Sequence, residues 1–282
     1  AVEQFTRVLQ LEPTLADAYY QRGNANDDLG NHGEAVFDYQ DALALRPGYL
    51  RAQYNLGVVL ANTGRHQEAV AAFDQVIILN PELSNAYLNR GASQDELGQH
   101  DEAIRDYGVA IECSPSNADA LFNRARTYYY LGYLENAIAD YSAVIKLRPE
   151  DTEAINNRGL AYDALGEYRS ALDDYAAALV VQPGFAEALN NRGAAHEALY
   201  DLDNAVNDYL AAVTHAPKFA APYYNVARLY SKLDNIDQCL TYLDTAMKLE
   251  PTLKQEAARD ETLSWVLELR RLRDDTQRQN RR

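Results

Sequence analysis

Residues 84–117 read SNAYLNRGASQDELGQHDEAIRDYGVAIECSPSN, and residues 118–151 read ADALFNRARTYYYLGYLENAIADYSAVIKLRPED. Laid over one another, the two stretches agree at the places a helical hairpin constrains most. Both carry a small residue (Gly91, Ala125), then a glycine (Gly98, Gly132), an alanine (Ala103, Ala137), an Asp-Tyr pair (Asp106-Tyr107, Asp140-Tyr141) and a proline (Pro115, Pro149). The frame extends in both directions. Eight of the nine prolines, Pro13, Pro47, Pro81, Pro115, Pro149, Pro183, Pro217 and Pro251, are separated by gaps of 34 residues. A fixed period of this length marks a repeat architecture.

The other columns keep the same step. Small residues stand at Gly23, Gly57, Gly91, Ala125, Gly159, Gly193 and Ala227. An aromatic column follows at Tyr39, Phe73, Tyr107, Tyr141, Tyr175 and Tyr209, with Leu243 last. Apolar residues at i, i+3, i+4 spacing give two helices per unit. Gly30, Gly64, Gly98, Gly132 and Gly166 end the first helix, where a positive φ is cheap only for glycine. Proline ends the second by forcing the residue before it out of the helical region. The small column lets the two helices approach closely, and the aromatic column fills the groove beside them.

This pattern resembles the tetratricopeptide repeat family. The resemblance covers residues 1–253 and implies an all-α fold, a right-handed α-solenoid superhelix. Seven full repeats are expected at 16–49, 50–83, 84–117, 118–151, 152–185, 186–219 and 220–253, after a half-repeat at 1–15. The family's tryptophan column is here Tyr19, Gln53, Tyr87, Leu121, Ile155, Leu189 and Tyr223. Residues 254–282 break the pattern. Leu263, Trp265, Val266, Leu267 and Leu269 predict one long amphipathic capping helix, which ends in an arginine-rich tail from Arg270 to Arg282. At the other end, Phe5, Val8 and Leu9 are expected to lie uncovered, giving weak self-association through residues 1–15.

Charge narrows the function. Residues 254–282 hold 8 Lys/Arg and 6 Asp/Glu, which leaves 18 and 36 for residues 1–253, a net of −18. An acidic solenoid argues against a nucleic-acid partner, which needs a basic face to release counterions. No apolar run reaches the length of a membrane span. Cys113 and Cys239 sit in distant repeats, and no Asn-x-Ser/Thr sequon occurs, so an intracellular, cytoplasmic setting is expected.

No phosphate loop, nucleophile elbow or Cys-x-x-Cys pair appears, so we expect neither an enzyme nor a cofactor. His32, His66 and His100 share a turn column, but successive repeats hold them too far apart for one metal. Asp27, Asp28, Asp95, Glu96 and Asp163 are expected to form a solvated acidic face. Arginine at 22, 90, 124, 158 and 192 and aspartate at 38, 106, 140, 174 and 208 occur together within a repeat or not at all. The second repeat has Leu56 and Ala72 instead, and the seventh has Val226 and Tyr242. Five buried pairs inside repeats are therefore expected.

The sharpest functional pattern is a column of asparagines, Asn55, Asn89, Asn123, Asn157, Asn191 and Asn225. Asparagine is a modest helix former, and its amide both donates and accepts, as a peptide backbone does. The column resembles the asparagine ladder of the nucleocytoplasmic O-linked N-acetylglucosamine transferase superhelix. That resemblance implies a groove gripping an extended chain by its backbone. Tyr54, Phe122 and Tyr129 would receive apolar side chains of a protein or peptide ligand, and Arg51, Arg126 and Arg228 acidic ones. The chain then reads as an interaction scaffold, an assembly or adaptor factor. The recognition arm of a larger enzyme such as a glycosyltransferase is a second reading, and an RNA-binding helical repeat a third. A carboxylate clamp for chaperone tails is disfavoured, because its lysine column here reads Tyr20, Tyr54, Leu88, Phe122, Asn156, Asn190 and Tyr224.

Overall fold

A computed structural model describes residues 1–280, with side-chain surroundings given through Arg273. Of the expected arginine-rich tail, Arg281 and Arg282 and the side chain of Arg278 lie outside the described residues. Among those described there are 17 helices and no strand. The chain forms two compact units, Ala1–Arg148 and Pro149–Arg282.

The first unit begins with α1 (Val2–Leu11). Four hairpins follow: α2 (Ala16–Asp28) with α3 (His32–Leu45), α4 (Leu50–Asn62) with α5 (His66–Leu79), α6 (Ser84–Glu96) with α7 (His100–Cys113), and α8 (Ala118–Tyr130) with α9 (Leu134–Leu147). The second unit holds α10 (Thr152–Ala164) with α11 (Tyr168–Val181), α12 (Ala186–Ala198) with α13 (Leu202–His215), and α14 (Ala220–Lys232) with α15 (Ile236–Leu249). It closes with α16 (Leu253–Arg259) and α17 (Glu261–Asn280).

The turn glycines adopt the expected conformation, with φ between 74° and 79° at Gly30, Gly64, Gly98, Gly132 and Gly166. Each lets the next amide bond back across the turn, as Gln99 N does to Gln94 O at 2.9 Å. In the last two hairpins the position falls to Tyr200 and Asp234, and the backbone still turns left-handed, at φ 62° and 55°. The bonds Asp201 N to His196 O and Asn235 N to Tyr230 O, both 2.9 Å, keep the same closure. The turn geometry is thus set by packing of the flanking helices, with glycine lowering its cost.

The small column works by contact. A Cβ at Gly91 would lie 2.9 Å from Cε1 of Tyr107, and one at Gly57 2.7 Å from Cε1 of Phe73. The rings of Tyr39, Phe73, Tyr107, Tyr141, Tyr175 and Tyr209 are fully buried. Each such ring contributes on the order of 2–3 kcal/mol by burial.

The five arginine–aspartate pairs form inside their hairpins. Arg22–Asp38, Arg90–Asp106, Arg124–Asp140, Arg158–Asp174 and Arg192–Asp208 all meet at 2.6–2.7 Å. The aspartates are buried and the arginines half-buried.

The ends depart from expectation. Leu9 is buried against the first hairpin, so α1 leaves Val8 and Leu11 exposed, with Phe5 half-buried. The C-terminal segment is two helices, because the chain breaks at Asp260 (ψ 118°). Asp260 caps α17, its carboxylate accepting from Thr262 N at 2.8 Å and Thr262 Oγ1 at 2.6 Å. The break lets α17 lay Leu263 and Val266 onto the core around Ala220, Tyr224 and Ala227. Trp265 and Leu269 remain partly exposed.

Candidate functional site

In each unit the first helices of successive hairpins share one face, and shallow clefts open along it. In the first unit a cleft of about 340 Å³ is lined by Asn24, Asp27, Asp28, Tyr39, Asn55 and Val58. The next, about 190 Å³, lies between α4 and α6 and includes Val58, Asn89, Glu96 and Arg126. A third, about 300 Å³, is formed by Asp95, Glu96, His100, Arg126, Thr127 and Tyr130. In the second unit a cleft of about 330 Å³ is lined by Glu197, Tyr200, Tyr209, Asn225, Arg228 and Lys232, among others.

The asparagine column lies on this face. Asn55, Asn89 and Asn225 line clefts. Their amides also bridge to the preceding repeat. Asn55 Nδ2 donates to Asn24 Oδ1 at 2.9 Å, Asn89 Nδ2 to the Tyr54 hydroxyl at 2.9 Å, Asn191 Nδ2 to Asn156 Oδ1 at 3.1 Å, and Asn225 Nδ2 to Asn190 Oδ1 at 2.9 Å. Asn157 Oδ1 accepts from its neighbour Asn156 at 3.4 Å. Asn123 is half-buried on α8.

The flanking residues differ in what they can offer. Tyr54 packs edge-on to Phe73 at 5.9 Å, and Phe122 edge-on to Tyr141 at 5.6 Å, so each shows only part of its ring. Tyr129 is half-buried, while Tyr130 is 73% exposed and leans on the His100 ring. Arg51 is exposed in the first turn of α4. Arg126 is exposed and borders two clefts, with no ion pair among the described residues. Arg228 is already engaged, its Nη2 donating to Glu197 at 3.0 Å.

The expectation of a solvated acidic face holds for Asp28 and Glu96, which are exposed, and is corrected at Asp95. Asp95 is largely buried and accepts from the Tyr107 hydroxyl at 2.8 Å and the Thr127 hydroxyl at 2.7 Å, with His100 Nδ1 at 3.0 Å. Glu197 takes Arg228, Lys232 at 2.6 Å and the Tyr209 hydroxyl at 3.1 Å. Burial pushes the Glu197 carboxyl up, but these partners outweigh it and hold the group below its ordinary value. Burial and the neighbouring carboxylates raise the hydroxyl pKa values of Tyr107 and Tyr209. The signal was legible: Asp27, Asp95, Asp163 and Glu197 share one column, twelve places ahead of the tyrosine column, whose buried hydroxyls need acceptors.

Geometry and composition define a helical-repeat protein built of hairpins. Models of the tetratricopeptide repeat match residues 15–84, 156–225 and 220–253, and a TPR repeat model matches 96–132 and 125–166. The chain belongs to the tetratricopeptide repeat family. Among solved structures it is similar to the C-terminal part of a TPR repeat-containing protein from Cytophaga hutchinsonii, at 17% identity and a TM-score of 0.70, covering 83% of this chain and 96% of that one. A tetratricopeptide repeat protein from Parabacteroides merdae aligns at 16% identity and a TM-score of 0.68, covering 89% and 98%. YrrB, a TPR protein with an unusual peptide-binding site, aligns at 24% identity and a TM-score of 0.57, covering 67% and 97%. These likenesses show the fold. No curated protein sequence matches the chain. No helix among the described residues is long and apolar enough to cross a membrane.

Proposed function

We propose that the chain is a protein-interaction scaffold that holds an extended peptide along its first-helix face, as an assembly or adaptor factor. The observation that carries this reading is the position of Asn55, Asn89 and Asn225 in the clefts. Their amide nitrogens are tied to the preceding repeat, so their side-chain oxygens are the groups left to accept from a peptide N–H. These oxygens grip backbone without reading sequence, while Tyr54, Phe122 and Tyr129 supply apolar contacts, and Arg51 and Arg126 charge. Arg228 contributes less to reading acidic side chains, since Glu197 already neutralises it. A solenoid with a first-helix face of this kind suits long, thin ligands. That YrrB carries a peptide-binding site agrees with this reading.

The test is selection from a phage-displayed random dodecapeptide library over the immobilised protein, followed by titration of recovered peptides. Replacing Asn89, Asn123 and Asn157 together by Ala should weaken those peptides about tenfold or more. A folded triple variant that binds them unchanged refutes the ladder.

A further inference from the structure

Six of the seven hairpins fill the place twelve residues ahead of the buried ring column. Asp27, Asp95, Asp163 and Glu197 stand there in the first, third, fifth and sixth repeats, and Tyr129 in the fourth. The seventh repeat has Ser231 and Leu243 in place of an acid and a tyrosine, and α17 covers it. The Ser231 hydroxyl donates to the carbonyl of Thr262, and Leu263 joins the core cluster of Leu243. The second repeat has Ala61 and Phe73, and here the cleft of about 190 Å³ opens between α4 and α6. A neighbouring column records the change. His32 Nδ1 meets Asp27 at 2.8 Å and His100 Nδ1 meets Asp95 at 3.0 Å, whereas Nδ1 of His66 is buried without a hydrogen-bond partner. Phe73, unlike the tyrosines of its column, has no hydroxyl in need of an acceptor. Val58, Ala61, Phe73 and Ala92 therefore give the cleft an apolar floor, and Glu96 and Arg126 are exposed at its rim.

We propose that this cleft receives one aromatic side chain, phenylalanine or tyrosine, of the bound peptide. The inference rests on the scaffold reading and adds to it the residue that is selected. The rim charges are opposite and the floor is apolar, which favours a neutral, apolar side chain over a charged one. An apolar cavity of about 150 Å³ holds benzene, so the volume here suits one ring. The seventh repeat fills the equivalent place with an apolar side chain of its own, Leu263. Arg126 has no ion pair among the described residues and is free to lie over the face of the ring.

The same dodecapeptide library tests this. Wild-type protein should select peptides with Phe or Tyr enriched at one fixed place relative to the rest of the motif. Replacing that residue by Ala in a recovered peptide should weaken binding about tenfold or more. Two variants assign the effect to the cleft. Ala61→Asp with Phe73→Tyr copies Asp95 and Tyr107 of the third repeat, gives His66 the carboxylate that His100 has, and puts charge into the floor. Ala92→Leu copies Leu160 of the fifth repeat and fills the cleft without charge. Both should fold, still recover peptides and reduce the aromatic enrichment about tenfold. Peptides with no aromatic position, an alanine-substituted peptide that binds unchanged, or an enrichment that survives in either folded variant overturns the proposal and leaves the scaffold reading intact. Recovery of no peptides by folded wild-type protein overturns both.

Discussion

Arg90 holds Asp74 as well as Asp106: Nη1 donates to Asp74 at 2.6 Å, while Nε and Nη2 grip Asp106 at 2.7 and 2.6 Å. Asp74 lies on the second helix of the preceding hairpin. One guanidinium thus joins two repeats, which pairing confined to single hairpins does not give. The simple pairs are the cleaner ones to dissect. Arg124→Leu strands the buried carboxylate of Asp140 and should cost about 3 kcal/mol. The double variant Arg124→Leu, Asp140→Ala copies Leu56 and Ala72 of the second repeat, and should fall within about 1 kcal/mol of wild type. Urea denaturation of the two variants decides it, and equal losses would show that the ion pair itself carries the stability.

Tyr200 holds a left-handed turn that glycine takes five times earlier in the chain. Its ring is 88% exposed and brings little packing in return. Tyr200→Gly should stabilise the protein by about 1 kcal/mol. Asp234→Gly should gain less, since aspartate tolerates this region better. Thermal unfolding of both variants checks the order, and a destabilised Tyr200→Gly would mean that the ring has an unseen task at the cleft it borders.

The two thiols should separate cleanly by reactivity. Cys239 is buried in the core of the seventh repeat, and burial pushes its pKa up to about 11. Cys113 is exposed at the end of α7. At pH 8 a disulfide reagent such as DTNB should titrate one thiol rapidly in native protein and two in denaturant. Two fast thiols in native protein would contradict the packing at Cys239.

Docking of α17 should weaken in acid. Burial pushes the Asp260 carboxyl up, but hydrogen bonds from Thr262 and Tyr224 and the charge of Arg228 outweigh it, and its pKa sits below 3.8. A carboxylate with a lowered folded pKa stabilises above its unfolded value. That stability is lost as pH falls below 3.8 through the folded value. Amide exchange in α17 should therefore quicken, relative to α14, as pH drops through this window. Asp260→Ala should give faster exchange at neutral pH and lose the acid dependence, at about 1 kcal/mol for the missing cap. Identical pH profiles for the variant and wild type would remove Asp260 from this role.

The fold was legible because its constraints recur. A single glycine or proline is weak evidence, whereas the step from Pro13 to Pro251 makes every column a repeated measurement. The Arg–Asp pairs were legible for the same reason, since Leu56 and Ala72 change together. What escaped was set by packing at single places. The break at Asp260 depends on Tyr224 and Arg228 lying near it, and Leu263 and Val266 read equally well as part of one unbroken helix. The acidic column was visible through its tyrosines, but the cover from the next repeat was not, because it rests on single residues such as Thr127 over Asp95. The asparagines were expected to face the groove, and bonds reaching 31 or 35 residues back, to Asn24 and Tyr54, were no part of that expectation.

Those asparagine bonds have a mechanical meaning. Within each unit they act as ties across the hinges between adjacent first helices, on the side where the clefts open. A guest that takes up the side-chain oxygens, as proposed, leaves these ties fastened. The rungs they join then keep their spacing whether or not the cleft beside them is filled.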